Sequence, residues 1–261
     1  MADKGHIVYG LHSVGAVLAR RPREVVSAAV QKGQVRGRLG ELVAGLERAR
    51  VPIERMDRAA LDRLAEGGVH QGIAVRVPPP REQGVNELER LVAGRDRALR
   101  LLVLDQVEDP RNLGACLRTA DAAGVDAVVV PKARSAGLGG AALKTAAGAA
   151  ESVPLVAVPN LARALRWLKG AGVWLVGADE AGPRSLFETE ITPPVAIVLG
   201  AEGKGLRRLT REVCDEIVRI PMQGAVESLN VSVAAGVVLY EMLRQEKWGQ
   251  SPFSVRSSDP G

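Results

Sequence analysis

The spacing of apolar positions divides the chain into two rhythms. Over the first third, short helical and extended patterns alternate. Ser13 to Arg20 reads as a short helix, Val25 to Gln31 as a strand, and Gly37 to Ala49 as an amphipathic helix with Leu39, Leu42, Val43 and Leu46 on one face. Asp57 to Glu66 follows as a helix opened by an Asp cap, and Gly72 to Val77 closes this part as a strand. Pro78-Pro-Pro-Arg-Glu-Gln-Gly84 then carries three consecutive prolines and a glycine, which forbid a helix and stiffen an extended connection. The expected organisation is a small α/β domain over 1–78, a linker over 79–97 that includes a helical pattern from Val85 to Val92, and a second domain over 98–249.

In that second domain the apolar runs are continuous, as in strands buried on both faces: Leu99 to Leu104, Ala127 to Val130, Pro154 to Val158, Val173 to Val176, Val195 to Leu199 and Glu216 to Ile220. Helical patterns lie between them, over Leu113 to Ala123, Leu138 to Ala150, Leu161 to Lys169, Leu206 to Val213 and Leu229 to Gln245. Strict alternation predicts an α/β fold with a parallel sheet covered by helices on both sides and with sites at the carboxyl ends of the strands. The polar tail, 250–261, is expected to be disordered.

Length and composition narrow this picture only a little. At roughly 150 residues per domain, 261 residues suit two modest domains, and 46% hydrophobic with 25% charged residues is a globular balance. The longest apolar runs fall well short of the 18 or so residues of a membrane span, and Met1-Ala-Asp-Lys-Gly5 begins no signal peptide, so a cytoplasmic protein with no membrane partner is expected. Cys116 and Cys214 are too few for a disulfide framework or a thiolate metal site, and His6, His12 and His70 lack ligand spacing, so no metal is expected.

Charge is more informative once it is divided. Residues 1–80 hold 13 Lys or Arg against 8 Asp or Glu, whereas residues 81–261 hold 22 of each, so the whole net charge of +5 belongs to the first third. Arg dominates there, and its planar guanidinium suits phosphate and base contacts. A polyanion partner and a mere genomic preference for Arg both account for this. Aromatics, at 3%, are too scarce for a base-stacking platform.

Three segments carry candidate chemistry. In Leu104-Asp-Gln-Val-Glu-Asp-Pro-Arg-Asn-Leu-Gly-Ala-Cys-Leu-Arg118, a strand runs through an acidic turn into a helix. Asn112 stands near the helix start, where a cap or turn residue is the default. Arg118 is six positions further, about 240° round a helix of 3.6 residues per turn, so the two meet at one site only if Asn112 lies in the turn. Val195-Ala-Ile-Val-Leu-Gly-Ala-Glu-Gly-Lys-Gly-Leu206 joins a buried strand to a glycine-rich loop whose one carboxylate is Glu202. Its glycine spacing matches neither a dinucleotide fingerprint nor a Walker sequence, which disfavours a nicotinamide dehydrogenase. In Ile220-Pro-Met-Gln-Gly-Ala-Val-Glu-Ser-Leu-Asn-Val-Ser232, a strand end turns through Pro221 and Gly224, and Ser228, Asn230 and Ser232 open a helix. Capping alone accounts for such residues, yet exposed amides in an apolar surround also suit an adenine and its ribose.

In this order, at the ends of three strands, the segments resemble the three motifs of the SpoU-type RNA ribose 2′-O-methyltransferases of the SPOUT superfamily. Ile7-Val-Tyr-Gly-Leu-His-Ser-Val14 and Gly68-Val-His-Gln-Gly-Ile-Ala-Val-Arg-Val77 resemble that family's L30e-like substrate-binding extension. The stretches Asn112 to Val125 and Leu209-Thr-Arg-Glu-Val-Cys-Asp-Glu216 point to the branch that methylates a guanosine in the peptidyl-transferase P loop of 23S ribosomal RNA. The resemblance implies a trefoil-knotted parallel-sheet domain, a homodimer through that domain, and S-adenosylmethionine as cofactor, held near Gly200, Ile220 and Leu229. It implies that Arg118 activates the 2′-hydroxyl with Asn112 orienting it, and that Glu202, Ser228 and Asn230 keep loop and ribose in register. Lys204 stands where a residue such as Glu is expected. Other readings are a non-catalytic RNA-binding or ribosome-assembly factor, and a methyltransferase acting on another ribosomal or transfer RNA nucleotide.

Overall fold

The computed structural model describes residues 5–94, 98–201, 203 and 205–249, which fall into two compact units. The described residues of the first are 5–81 together with 147–152. Its strands are β1 (His6–Tyr9), β2 (Ser27–Gln31), β3 (Ile53–Met56) and β4 (Ile73–Val77), and its helices α1 (Leu11–Arg20), α2 (Gly37–Arg48) and α3 (Arg58–Leu64). The sheet order is β1-β4-β2-β3, with β4 antiparallel to both neighbours and β2 parallel to β3. The alternation of β4 separates two cores: Ile73, Val75 and Val77 pack with Val14, Val17 and Leu46, while Ala74 packs with Leu61 on the opposite face. Helix α3 begins at the expected cap, where the Asp57 carboxylate accepts from the Ala60 amide at 2.7 Å. Neither β1 nor β3 follows from the apolar pattern. β3 is half-buried only at its ends, as an edge strand is.

The second unit comprises the described residues within 82–146 and 153–249. It opens with a helix inside the stretch expected to be a linker. Leu88 and Val92 of α4 (Val85–Ala93) are buried in this unit's core, so their apolar surface outweighs the extended bias of the preceding prolines, and the compact unit starts at Glu82. The strands are β5 (Arg100–Leu104), β6 (Ala127–Pro131), β7 (Leu155–Val158), β8 (Trp174–Ala178), β9 (Arg184–Ser185), β10 (Val195–Leu199) and β11 (Glu216–Arg219). They form one parallel sheet in the order β7-β6-β5-β10-β8-β11-β9. The connecting helices are α5 (Pro110–Ala122), α6 (Gly140–Ala146), α8 (Leu161–Gly170), α9 (Arg208–Val213) and α10 (Val231–Trp248), while α7 (Ala149–Ser152) belongs to the first unit.

Leu161, Leu165 and Leu168 of α8 join Leu88 and Val213 against one face of this sheet. Each fully buried leucine contributes about 1.5–3 kcal/mol. The helix expected over Leu138 to Ala150 is instead two helices, because Ala147 (φ 50) and Gly148 (φ 91) take left-handed backbone between them. In the first unit Gly148 lies against Ser13, whose Oγ would be 2.1 Å from an added Cβ. The last helix is tied at its far end by a buried carboxylate. Arg244 makes two 2.8 Å hydrogen bonds to Glu241 and holds its acid below the usual range, and Gln245 links the same group to the backbone of Thr189.

Candidate active site

Chain reversals at the carboxyl ends of β8, β10 and β11 make a cleft lined by Asp179, Leu199, Gly200, Ile220, Ser228 and Leu229. Gly200, Ile220 and Leu229, expected from the sequence to hold a cofactor, therefore share one wall-to-wall space, and exposed Ser228 stands at its edge. Glu202 and Lys204 lie outside the described residues, as does the tail 250–261.

The glycine loop is built by close backbone approach. A Cβ on Gly200 would lie 2.0 Å from the Gly205 carbonyl oxygen and 2.5 Å from the Leu206 nitrogen, so glycine alone fits there. Gly205 (φ 60) donates its amide to the Ala201 carbonyl at 3.0 Å, closing the loop on itself.

Two carboxylates anchor this loop, and neither stands out in the sequence. Asp179, at the end of β8, accepts from the Leu206 amide at 3.1 Å, from the Ala181 amide at 3.1 Å and from Arg211 at 3.2 Å. Asp105 follows the last residue of β5 and is buried. Its carboxylate accepts from the Arg207 side chain at 2.6 and 2.7 Å and from the Arg207 amide at 3.3 Å. The available signal for Asp105 was its place directly after the buried run Leu101 to Leu104, since a carboxylate held there needs a charged or hydrogen-bonding partner.

The first and third motifs meet through asparagines. Asn112 is not a cap: Asp109 caps α5 by accepting from the Arg111 amide at 2.7 Å, and Asn112 is the third helical residue. Its Oδ1 instead accepts from Asn230 Nδ2 at 3.1 Å. Asn230 is the cap of α10, its Oδ1 accepting from the Ser232 amide at 2.9 Å and hydroxyl at 2.6 Å, so Ser228 and Leu229 precede that helix rather than open it.

Asn112 and Arg118 do not share a face. Six residues of helix separate them by about 9 Å along the axis and 240° around it. Arg118 is exposed and, among the described residues, makes no ion pair. Its neighbour Thr119 approaches Gly236 of α10, with Cγ2 3.9 Å from where a Cβ would be. Val233 and Tyr240, three residues before and four after Gly236, are 51% and 54% exposed, so the Arg118 end of α5 borders an uncovered apolar stripe.

The cleft also has a sign. Asp179, Glu180 and Glu227 line it together with Leu199, Ile220, Met222 and Leu229, and no Lys or Arg is among its described lining residues. An apolar wall with carboxylates at its margin accommodates a flat apolar ring joined to a polar or cationic group.

Comparison with known proteins agrees with this geometry. Residues 100–240 match the model of the SpoU rRNA Methylase family, and residues 7–83 match that described as RNA 2′-O ribose methyltransferase substrate binding. The 23S rRNA (guanosine-2′-O-)-methyltransferase of Vibrio cholerae is 52% identical over 92% of this chain and 96% of its own length. That of Escherichia coli K12 is 50% identical over 92% and 98%. Among solved structures, an RNA 2′-O ribose methyltransferase is 29% identical with a TM-score of 0.64, covering 94% of this chain and 90% of the other. The SpoU methyltransferase AviRb of Streptomyces viridochromogenes, solved in complex with AdoMet, shares the fold with a TM-score of 0.66 at 24% identity, covering 93% and 91%. With more than half its length matching the family model and relatives half identical over nine-tenths of it, this chain belongs to the SpoU rRNA methylase family.

Proposed function

We propose that this protein transfers the methyl group of S-adenosylmethionine to the 2′-hydroxyl of a guanosine in 23S ribosomal RNA, within the peptidyl-transferase P loop. The observation that carries the reading is the half-identity to curated 23S guanosine 2′-O-methyltransferases over nearly the whole chain, with the three motif segments gathered at one end of the sheet.

The cleft fits the cofactor. Gly200 lets the loop fold tightly beside the cleft, the leucine and isoleucine side chains offer an apolar wall to an adenine, and the Glu180 and Glu227 carboxylates suit a cation. When bound, S-adenosylmethionine supplies an electrophilic methyl group. The chain's own part is to position the ribose and to manage one proton. A guanidinium has no lone pair to serve as a general base, so the part of Arg118 is to stabilise the oxyanion that develops at the 2′-oxygen. Asn112 and Asn230 hold the two helices between which the ribose is oriented, and Ser228 supplies a hydroxyl at the cleft edge. Glu202 is assigned to the same loop.

The reading extends to the assembly and to finer features of the fold. A homodimer through the second unit covers Val233 and Tyr240 and brings each Arg118 toward the other copy's cleft. The reading includes the family's trefoil knot in the second unit, where β10 is inserted between the earlier β5 and β8, and β11 between β8 and β9. The first unit, carrying the net positive charge, serves as an L30e-like RNA anchor. Free thiols at Cys116 and Cys214 suit a reducing cytoplasm.

Incubation with methyl-labelled S-adenosylmethionine and ribosomal RNA, followed by alkaline digestion, tests this. A methylated 2′-oxygen cannot attack its neighbouring phosphate, so one alkali-resistant step at the P-loop guanosine is expected. Label at another nucleotide moves the substrate; no label on RNA or subunits despite bound cofactor refutes the enzyme reading.

A further inference from the structure

A polar groove of about 470 Å³ opens in the first unit where the end of β2 faces the loop 66–72 that leads into β4. This loop is held in uncommon backbone: Glu66 (φ 50), Gly67 (φ 80), Gln71 (φ 51) and Gly72 (φ 86) are all left-handed. Two non-glycine residues in that region, a few positions apart, need firm anchors. His70, 5% exposed, supplies one. Its Nδ1 accepts from the Gly72 amide at 3.0 Å, which requires a bare Nδ1, so the ring donates from Nε2 to the Asp62 carboxylate at 3.0 Å. The second is Gly68, where an added Cβ would lie 2.3 Å from the Tyr9 hydroxyl oxygen; the loop lies directly on that ring. The third is Gln71, whose Oε1 accepts from the Leu11 amide at 3.0 Å.

These anchors fix what the loop displays. Val69 is 80% exposed, an apolar residue on a polar groove. Because the Gln71 carbonyl is engaged, its amide nitrogen is the end left to donate. Lys32 and Arg58 stand on the rim, and Arg58 is 3.9 Å from Asp62, whose charge is thereby shared with a guanidinium.

We propose that this groove holds one unpaired nucleotide of the RNA substrate. Val69 packs on the base face, the Gln71 amide donates to the base edge, and Lys32 and Arg58 contact the flanking phosphates. The proposal rests on the reading of the chain as a ribosomal RNA methyltransferase. Duplex RNA presents a broad, shallow minor groove and its phosphates, for which a flat basic face suffices; a concavity that offers apolar side chains and directed amides suits a base that has left the stack. Arg58 is 78% exposed, which leaves its guanidinium accessible to a phosphate.

Full-length Val69→Asp and Lys32→Glu variants test it, since both side chains are exposed and neither contributes to a core. With a 23S ribosomal RNA transcript as substrate, each is expected to raise KM tenfold or more, with kcat within twofold, and with cofactor affinity and Tm unchanged. A 4-thiouridine-substituted transcript is expected to cross-link to the peptide spanning residues 66–72 at an unpaired nucleotide. Unchanged KM in both variants of an active enzyme overturns the groove, and so does cross-linking confined to paired positions. Should the wild type transfer no methyl group, the enzyme reading fails on its own; filter binding of the same transcript then decides the groove, and equal affinity for wild type and both variants overturns it.

Discussion

Asn230 donates to Asn112 across 3.1 Å, so the residue that caps α10 also braces α5. One side chain thus performs two separable tasks, its oxygen serving the cap and its nitrogen the brace.

Asn230→Asp separates them. The carboxylate still accepts from Ser232 but can no longer donate to Asn112, whose amide must turn over and present its nitrogen instead of its oxygen. This variant is expected to keep most of its Tm while losing methyl transfer more than tenfold. Asn230→Ala is expected to lose transfer and also about 1 kcal/mol of stability with the cap. Calorimetry beside label incorporation checks both, and wild-type transfer by Asn230→Asp would show the brace to be dispensable.

Gly200→Ala is expected to abolish cofactor binding. The new methyl group would sit 2.0 Å from the Gly205 carbonyl oxygen, and both partners are backbone, so the strand end and the loop must part. Titration calorimetry with S-adenosylmethionine should show at least a hundredfold weaker binding, and affinity within tenfold of wild type would contradict this account of the loop.

Arg118 and Asn112 do not meet within a chain, and the dimer proposed above lets them meet between chains. Arg118→Ala and Asn230→Ala proteins are each expected to be inactive. Mixed, unfolded and refolded together, they should recover about a quarter of wild-type activity: half of the dimers are mixed, with one intact site of two, if the two residues act across the interface. No recovery places both in the same chain's site.

Burial pushes the Cys116 thiol up to about 12, and burial followed by the charge of Asp215 does the same for Cys214. Both stay protonated in the native state at pH 8, so a thiol reagent should label them only on unfolding. Between about pH 9 and 12 the unfolded chain releases these protons and the folded chain retains them, so stability is full below pH 9 and falls as pH rises through that window. A Cys116→Ala, Cys214→Ala double variant should show a shallower alkaline loss of Tm, and an unchanged slope would argue against buried neutral thiols.

The legible part of the fold is the part governed by local pattern. Runs such as Val195 to Leu199 are apolar throughout because both sheet faces are covered, and the strand is found where they lie. The unread part is decided by partners distant in sequence. Ala147 adopts left-handed backbone with no residue type to announce it, and α4 joins the core through Leu88 and Val92 although three prolines precede it. At the site, glycines and asparagines are visible as punctuation. That Asn112 answers Asn230, 118 positions away, and that Asp105 answers Arg207, is tertiary pairing on which residue type is silent.

The place of β10 has a consequence for synthesis. It pairs with β5 on one side and β8 on the other, and it is made after both. A nascent chain that stops short of Val195 therefore carries two unsatisfied edges at what will become the middle of the sheet, each offering bare amides and carbonyls to any extended peptide nearby. Closure waits for five residues to enter a slot already bounded by finished strands. The newly made enzyme is thus most prone to stick to its neighbours on the polysome when three-quarters of it has been translated.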